Sequence, residues 1–259
     1  MSRRAARFVA GAVAALGCGA TPEAAPRADG SPSAVQTESV PPAVSVREIA
    51  APMIAADITP PPPLPRVVEP PPGLVDLQRA TPSVRLSIGY ATAANFTGAP
   101  LPGYDVAAAW AHPSLAAALA DVDRALQPEG LGILVYDAYR PLRATDAMVA
   151  WTRRTHRTDL LRDGYIAARS QHNRGLAVDL TLTVRDTGTP LDMGGAWDTF
   201  GPASGAFAAT GQAQANRRRL RAAMIRHGFV PHDGEWWHFA IRDAAAPVLD
   251  VPYAAPGAP

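Results

Sequence analysis

Prolines and aromatic residues divide this chain into two parts that cannot fold by the same rules. Fourteen of the 27 prolines lie at or before Pro72, and of the 17 aromatic residues only Phe8 precedes Tyr90. A core needs large apolar side chains. Gly19 to Pro72 offers mostly Ala, Pro, Ser and Val, with runs such as Pro60-Pro61-Pro62-Pro63 and Pro70-Pro71-Pro72. Such a stretch buries too little apolar area to offset its ordering entropy, and its proline runs favour extended polyproline backbone. The expectation is a disordered, semi-rigid spacer over residues 19–72 and one folded domain over residues 73–259.

Residues 1–18 differ again. Arg3, Arg4 and Arg7 precede the short apolar stretch Phe8 to Leu16, and small residues follow. That is the layout of a secretory signal peptide, too short for a membrane span. The single cysteine, Cys18, follows Ala15-Leu16-Gly17 and resembles the lipidation point of a bacterial lipoprotein. The expectation is export to the bacterial cell envelope, with a membrane tether through lipidated Cys18 that the spacer holds away from the domain.

Charge excludes one class of partner. The formal net charge is +1, and all 24 basic residues are Arg. A nucleic-acid binder driven by electrostatics needs a clustered basic surface, so no nucleic-acid partner is expected. One cysteine also rules out an intrachain disulfide or a Cys-rich zinc module.

Within the domain, Ser114–Leu126 places Leu115, Leu119, Val122 and Leu126 at helical spacing, stopped by Pro128 and Gly130. Gly132–Tyr136 reads as a buried strand, Leu142–Thr155 as a helix after Pro141, and Leu176–Val184 as a strand. Gln214–His227 reads as a helix with an Arg-rich outer face, and Trp236–Ile241 as a short strand. The order is irregular, without βαβ alternation, which points to an α+β fold.

Three local patterns carry possible chemistry. His172 and Asp179 are seven apart, with Gly175 available for a turn between them. Asp179 sits between Val178 and Leu180, where an isolated carboxylate is costly. A metal ion, an arginine, or an edge position facing water would each relieve it. Glu235-Trp236-Trp237-His238 sets a carboxylate and an imidazole in an aromatic cluster, although a core histidine beside two packed tryptophans has the same appearance. Residues three apart on a strand face opposite ways, so Glu235 and His238 can share a site only if Glu235 lies on the turn from Asp233-Gly234 or a bulge intervenes. Arg140 falls where a strand ends before Pro141. It can project into a cleft and steady an oxyanion, or simply pair with Asp137.

Together these patterns resemble the D-alanyl-D-alanine dipeptidases, zinc D,D-peptidases related to the vancomycin-resistance dipeptidase. The resemblance extends through Asn95-Phe96-Thr97-Gly98, Leu101-Pro102-Gly103-Tyr104, Leu191-Asp192-Met193-Gly194 and Trp197-Asp198-Thr199-Phe200. It implies a central, mostly antiparallel sheet with flanking helices, and one Zn2+ per chain held by His172, Asp179 and His238. It also implies Glu235 as the general base toward metal-activated water, and Arg140 as the group that steadies the oxyanion. Ser170 and Asp198 fall near the substrate, a small D,D-dipeptide, with Asp198 toward its free amino group. Gln171 departs from the basic residue expected there, which leaves the ligand set intact. A zinc D,D-carboxypeptidase or L,D-endopeptidase shares the same ligands, and a non-catalytic zinc-binding domain would keep them without needing Glu235 or Arg140. His232, three residues from Glu235, is expected to stay off the metal.

Overall fold

A computed structural model describes residues 69–242 and 246–254. The expected signal, Cys18 and the spacer as far as residue 68 lie outside these residues. Among the described residues no helix is long and apolar enough to cross a membrane.

Two long apolar strands form the centre. β4 (Leu131–Asp137) and β5 (Ala177–Val184) run antiparallel and are almost wholly buried. On β5 the leucines at 180 and 182 alternate with Thr181 and Thr183, so one face carries hydrocarbon and the other, which includes Asp179, carries polar groups. Short strands complete the order β2-β4-β5-β7-β6, with β2 (Arg85–Leu86), β6 (Val230–Pro231) and β7 (His238–Ala240). Among the described residues, only the β2–β4 pair of this sheet is parallel. A separate ribbon pairs β1 (Val75–Asp76) with β3 (Trp110–Ala111). The fold is therefore α+β with a mostly antiparallel sheet, as expected.

The helices cover the sheet. α1 (Leu77–Ala80) is a single turn after β1. α2 (Pro113–Leu126) starts with Pro113 at its first position, where the missing N–H costs nothing. It turns Leu115, Leu119, Val122 and Leu126 inward against β4. Each such fully buried leucine stabilises the fold by roughly 1.5–3 kcal/mol. α3 (Leu142–Arg154) follows Pro141, and α4 (Asp159–Arg162) is one turn beside it. α5 (Gly211–Arg226) begins one turn earlier than its apolar spacing suggests and packs against α2, β5 and β6. Its reading as an Arg-rich outer face needs one correction: Arg217 points inward and is only 2% exposed.

One irregularity aims the site. Val135 pairs with Leu180 and Asp137 with Asp179, so Tyr136 is an extra residue on β4 and forms a bulge. Past the bulge, Asp137 stands opposite Asp179, and Asp179 stands opposite His238 on β7. Three polar residues thus line up across three strands.

Candidate functional site

The cross-strand row receives its fourth member from a loop. Ser170 caps the short turn Gln171–Arg174, and its hydroxyl accepts from the His172 backbone N–H at 3.3 Å. The turn ends at Gly175 with φ +67, and an added Cβ there would lie 2.8 Å from the His112 backbone nitrogen. Only glycine suits both demands. The His172 imidazole then reaches the row, and its Nδ1–H donates to the Ala138 carbonyl at 2.6 Å.

That hydrogen bond fixes the tautomer and turns the Nε2 lone pair inward. His172 Nε2 lies 3.1 Å from His238 Nδ1 and 3.3 Å from Asp179 Oδ1, and the last two are 2.9 Å apart. Two ring nitrogens and a carboxylate oxygen converge in a triangle with too few hydrogens to bond one another fully. Four ligands at about 2.0–2.1 Å around a tetrahedral cation sit about 3.3–3.4 Å apart, so this donor set and spacing fit one such ion.

Asp137 and Arg140 back the triangle. Arg140 Nη2 is 2.8 Å from Asp137 Oδ2 and 3.7 Å from Asp179 Oδ2. Arg140 pairs with Asp137 and also lines the cavity beside the triangle. Its guanidinium also lies over the Tyr90 ring at 5.1 Å, while Tyr104 donates to Asp137 Oδ1 at 2.6 Å. Burial raises the Asp137 carboxyl above its ordinary value, against the pull of Arg140 and His172. Asp179 is also buried, yet His172 and His238 hold it well below the carboxylate range.

Glu235 sits on the turn before β7 and so reaches the same cavity as His238. The geometric condition set by the sequence is met by the turn at Asp233-Gly234. Burial, with Asp179 nearby, pushes the Glu235 carboxyl up to about 8, partly offset by Arg140 and His172. Trp237 lines the wall behind it.

Asp198 lines the same cavity. Its backbone is left-handed at φ +62, and Tyr90 donates to its Oδ1 at 3.0 Å. Its Oδ2 is buried without a partner. Burial and then Asp179 raise this carboxyl well above its ordinary value. A buried carboxyl oxygen without a partner is costly and leaves room for a donor from outside the chain.

These residues enclose a cavity of about 220 Å³, lined by Arg140, Ser170, His172, Asp179, Asp198, Glu235 and His238. Every residue singled out for a site role from the sequence faces this one cavity. His232 stands at its edge, accepts from the Gly234 N–H at 3.1 Å and is absent from the triangle. Sequence reasoning missed Tyr90, which touches both Arg140 and Asp198. It also missed Trp197, whose ring stacks on Tyr136 at 5.2 Å and whose N–H points at Asp179 from 3.5 Å. Gly89 marked the close approach of Trp197, since a Cβ there would meet the ring at 2.7 Å.

Known proteins share this sequence pattern. The peptidase M15 family, described as D-Ala-D-Ala dipeptidase, matches residues 71–255. A D-alanyl-D-alanine dipeptidase of Enterococcus faecium is 37% identical over 192 residues, covering 68% of this chain and 94% of its own length. One from Streptomyces coelicolor is 37% identical over 188 residues, covering 66% and 93%. One from Escherichia coli is 38% identical over 176 residues, covering 67% and 86%.

Proposed function

The chain belongs to the D-Ala-D-Ala dipeptidase family of metallopeptidases, and on that footing we propose that it hydrolyses the D-alanyl-D-alanine dipeptide to two D-alanines in the turnover of cell-wall peptides. One observation carries the choice of substrate: a single cavity of about 220 Å³ is lined both by the donor triangle and by Asp198, whose Oδ2 has no partner. Pockets for drug-sized ligands run from about 300 Å³ upward, so this one suits a smaller molecule. A free dipeptide carries a scissile carbonyl and an ammonium a short distance apart.

In this reading His172, Asp179 and His238 hold one Zn2+. The bound ion supplies Lewis acidity, polarising the scissile carbonyl and easing deprotonation of water. Glu235 takes the proton from the attacking water and passes it to the leaving amine. Burial suits it to that task, because a carboxyl with raised proton affinity accepts and releases protons near neutral pH. Arg140, held by Asp137, presents a fixed positive charge where the carbonyl oxygen becomes negative, so no reorganisation is needed at that moment. Asp198, braced by Tyr90, receives the substrate ammonium. Ser170 offers a hydroxyl at the wall. Trp237 and Tyr90 exclude water, which strengthens each of these charges.

We further propose that the protein is exported and tethered in the cell envelope through lipidated Cys18, as the first 18 residues suggest. There it would meet dipeptides released from wall peptides.

The decisive assay follows D-alanine release by the zinc-loaded protein from D-Ala-D-Ala, L-Ala-L-Ala and a pentapeptide ending in D-Ala-D-Ala. Cleavage of the D,D-dipeptide alone, abolished by chelation and by Glu235→Ala, supports the reading. Preference for the pentapeptide moves the protein to the carboxypeptidases. Inactivity of folded, metal-loaded protein on all three leaves a binding domain.

A further inference from the structure

Arg217 is buried on the inner face of α5 and makes no ion pair among the described residues. A buried guanidinium without a carboxylate is expensive unless its donors are otherwise used. Its Nε donates to the Met193 carbonyl at 2.6 Å. Its Nη1 donates to the carbonyls of Gly205 at 2.6 Å and Ala203 at 3.1 Å, while Nη2 is buried without a partner among the described residues. Its plane lies over Trp236, the neighbour of Glu235, at 5.6 Å. One side chain therefore joins the two ends of the arm that runs from Met193 to Gly205. Asp198 lies between those ends.

The same helix adds two more ties. Asn216 donates to the Asp192 carbonyl at 2.8 Å, and Gln214 to the Ala206 carbonyl at 3.2 Å. The far end of the arm also braces the turn that carries Glu235. The single Ser204 hydroxyl hydrogen is shared between the carbonyls of Gly201 at 2.6 Å and Gly234 at 2.8 Å, the Ala206 N–H donates to the Asp233 carbonyl, and the Trp236 N–H to that of Ser204. Within the arm, Asp198 keeps a left-handed backbone that non-glycine residues adopt only when their surroundings impose it.

We infer that Arg217 is a positioning residue for substrate binding: by closing the 193–205 arm through three carbonyls, it holds Asp198 against the cavity where the substrate ammonium is received. The inference rests on the proposed role of Asp198. A lysine at 217 keeps the charge but cannot span the two ends, since a single ammonium lacks the fork.

The test compares wild type, Arg217→Lys, Asp198→Asn and the double variant, all zinc-loaded, on D-Ala-D-Ala. KM is the informative constant, because it does not depend on how much of a preparation is folded. Arg217→Lys is expected to raise KM about tenfold or more, as misplaced groups do. Added to Asp198→Asn, it should raise KM by less than about threefold further, the non-additivity of residues that act through one another. An unchanged KM in Arg217→Lys, or full additivity in the double variant, overturns the inference. Hydrogen exchange gives a readout independent of catalysis. Amides of residues 195–201 should exchange faster in Arg217→Lys while those of β5 do not. Equal acceleration in both marks a general loss of stability and also overturns it. If wild type does not cleave the dipeptide, the functional reading fails, and exchange alone decides whether Arg217 holds the arm.

Discussion

Asp137 and Asp179 face each other across β4 and β5, and their surroundings drive the two carboxyls in opposite directions. Asp137 is enclosed behind Arg140, Tyr104 and the Nδ1 side of His172. Asp179 turns its Oδ1 to the imidazole nitrogens that complete the triangle. In the proposed reading, two acids in register thus have different duties: one supports, the other ligates.

That division predicts unequal losses on substitution. Asp179→Asn should abolish stoichiometric zinc, read by metal analysis after dialysis. Asp137→Asn should retain zinc with affinity reduced about 10–100-fold, the usual effect of removing a group that orients a ligand. Equal losses in the two variants would contradict the assignment.

Glu235 lies outside the triangle, so its loss should spare the metal. Glu235→Gln is expected to keep one zinc per chain while kcat on D-Ala-D-Ala falls by about 10²–10⁴-fold, the usual share of a general base. Retained activity, or zinc lost together with activity, would remove Glu235 from the proposed role.

The raised Glu235 carboxyl also predicts a pH-dependent stability in metal-free protein. A carboxyl shifted from 4.5 to about 8 holds its proton more tightly when folded. Its stabilising contribution is complete below its unfolded value and is lost as pH rises through about 8. Thermal melts of chelated wild type should therefore lose ground to Glu235→Gln between about pH 5 and pH 8. A bound cation favours the ionised form, so zinc should draw the two curves together. Parallel curves in the metal-free pair would argue against the shift.

Asp198 should show function and stability pulling apart. Asp198→Asn removes a carboxyl whose ionisation burial and Asp179 already oppose, so the melting temperature should stay level or rise. KM for D-Ala-D-Ala should rise by about 10–100-fold, the worth of one charge-assisted hydrogen bond in a buried site. A fall in melting temperature with KM unchanged would make Asp198 a structural residue.

The proposed tether is tested by fractionation. Full-length protein should sediment with membranes and Cys18→Ala should not, while both remain outside the cytoplasm. Cytoplasmic recovery of the unaltered protein would remove the export reading.

Much of the fold was legible because its long elements are strongly patterned. Leu115, Leu119, Val122 and Leu126 repeat at helical spacing, the centre of β4 is a nearly continuous apolar run, and β5 alternates leucine with threonine. The two-residue strands β1, β2, β3 and β6 were not legible, since two residues have no period. α5 begins at Gly211, which local propensity disfavours. The ligand triangle could be anticipated from its residue types and their resemblance to a family. Tyr90 and Arg217 could not, because their importance comes from partners 108 residues away in one case and 12 to 24 away in the other. A side chain among several adjacent arginines also carries no mark of which one turns inward.

The small cavity has a consequence beyond affinity. Bonds like the proposed target also end the peptides of an unfinished wall, where they are attached to something far larger than the chamber. On the proposed reading, a chamber of this size would filter by bulk before any chemistry begins. It would favour debris already cut free over the ends of growing polymer. An enzyme so built could work beside the structure it recycles without eroding it.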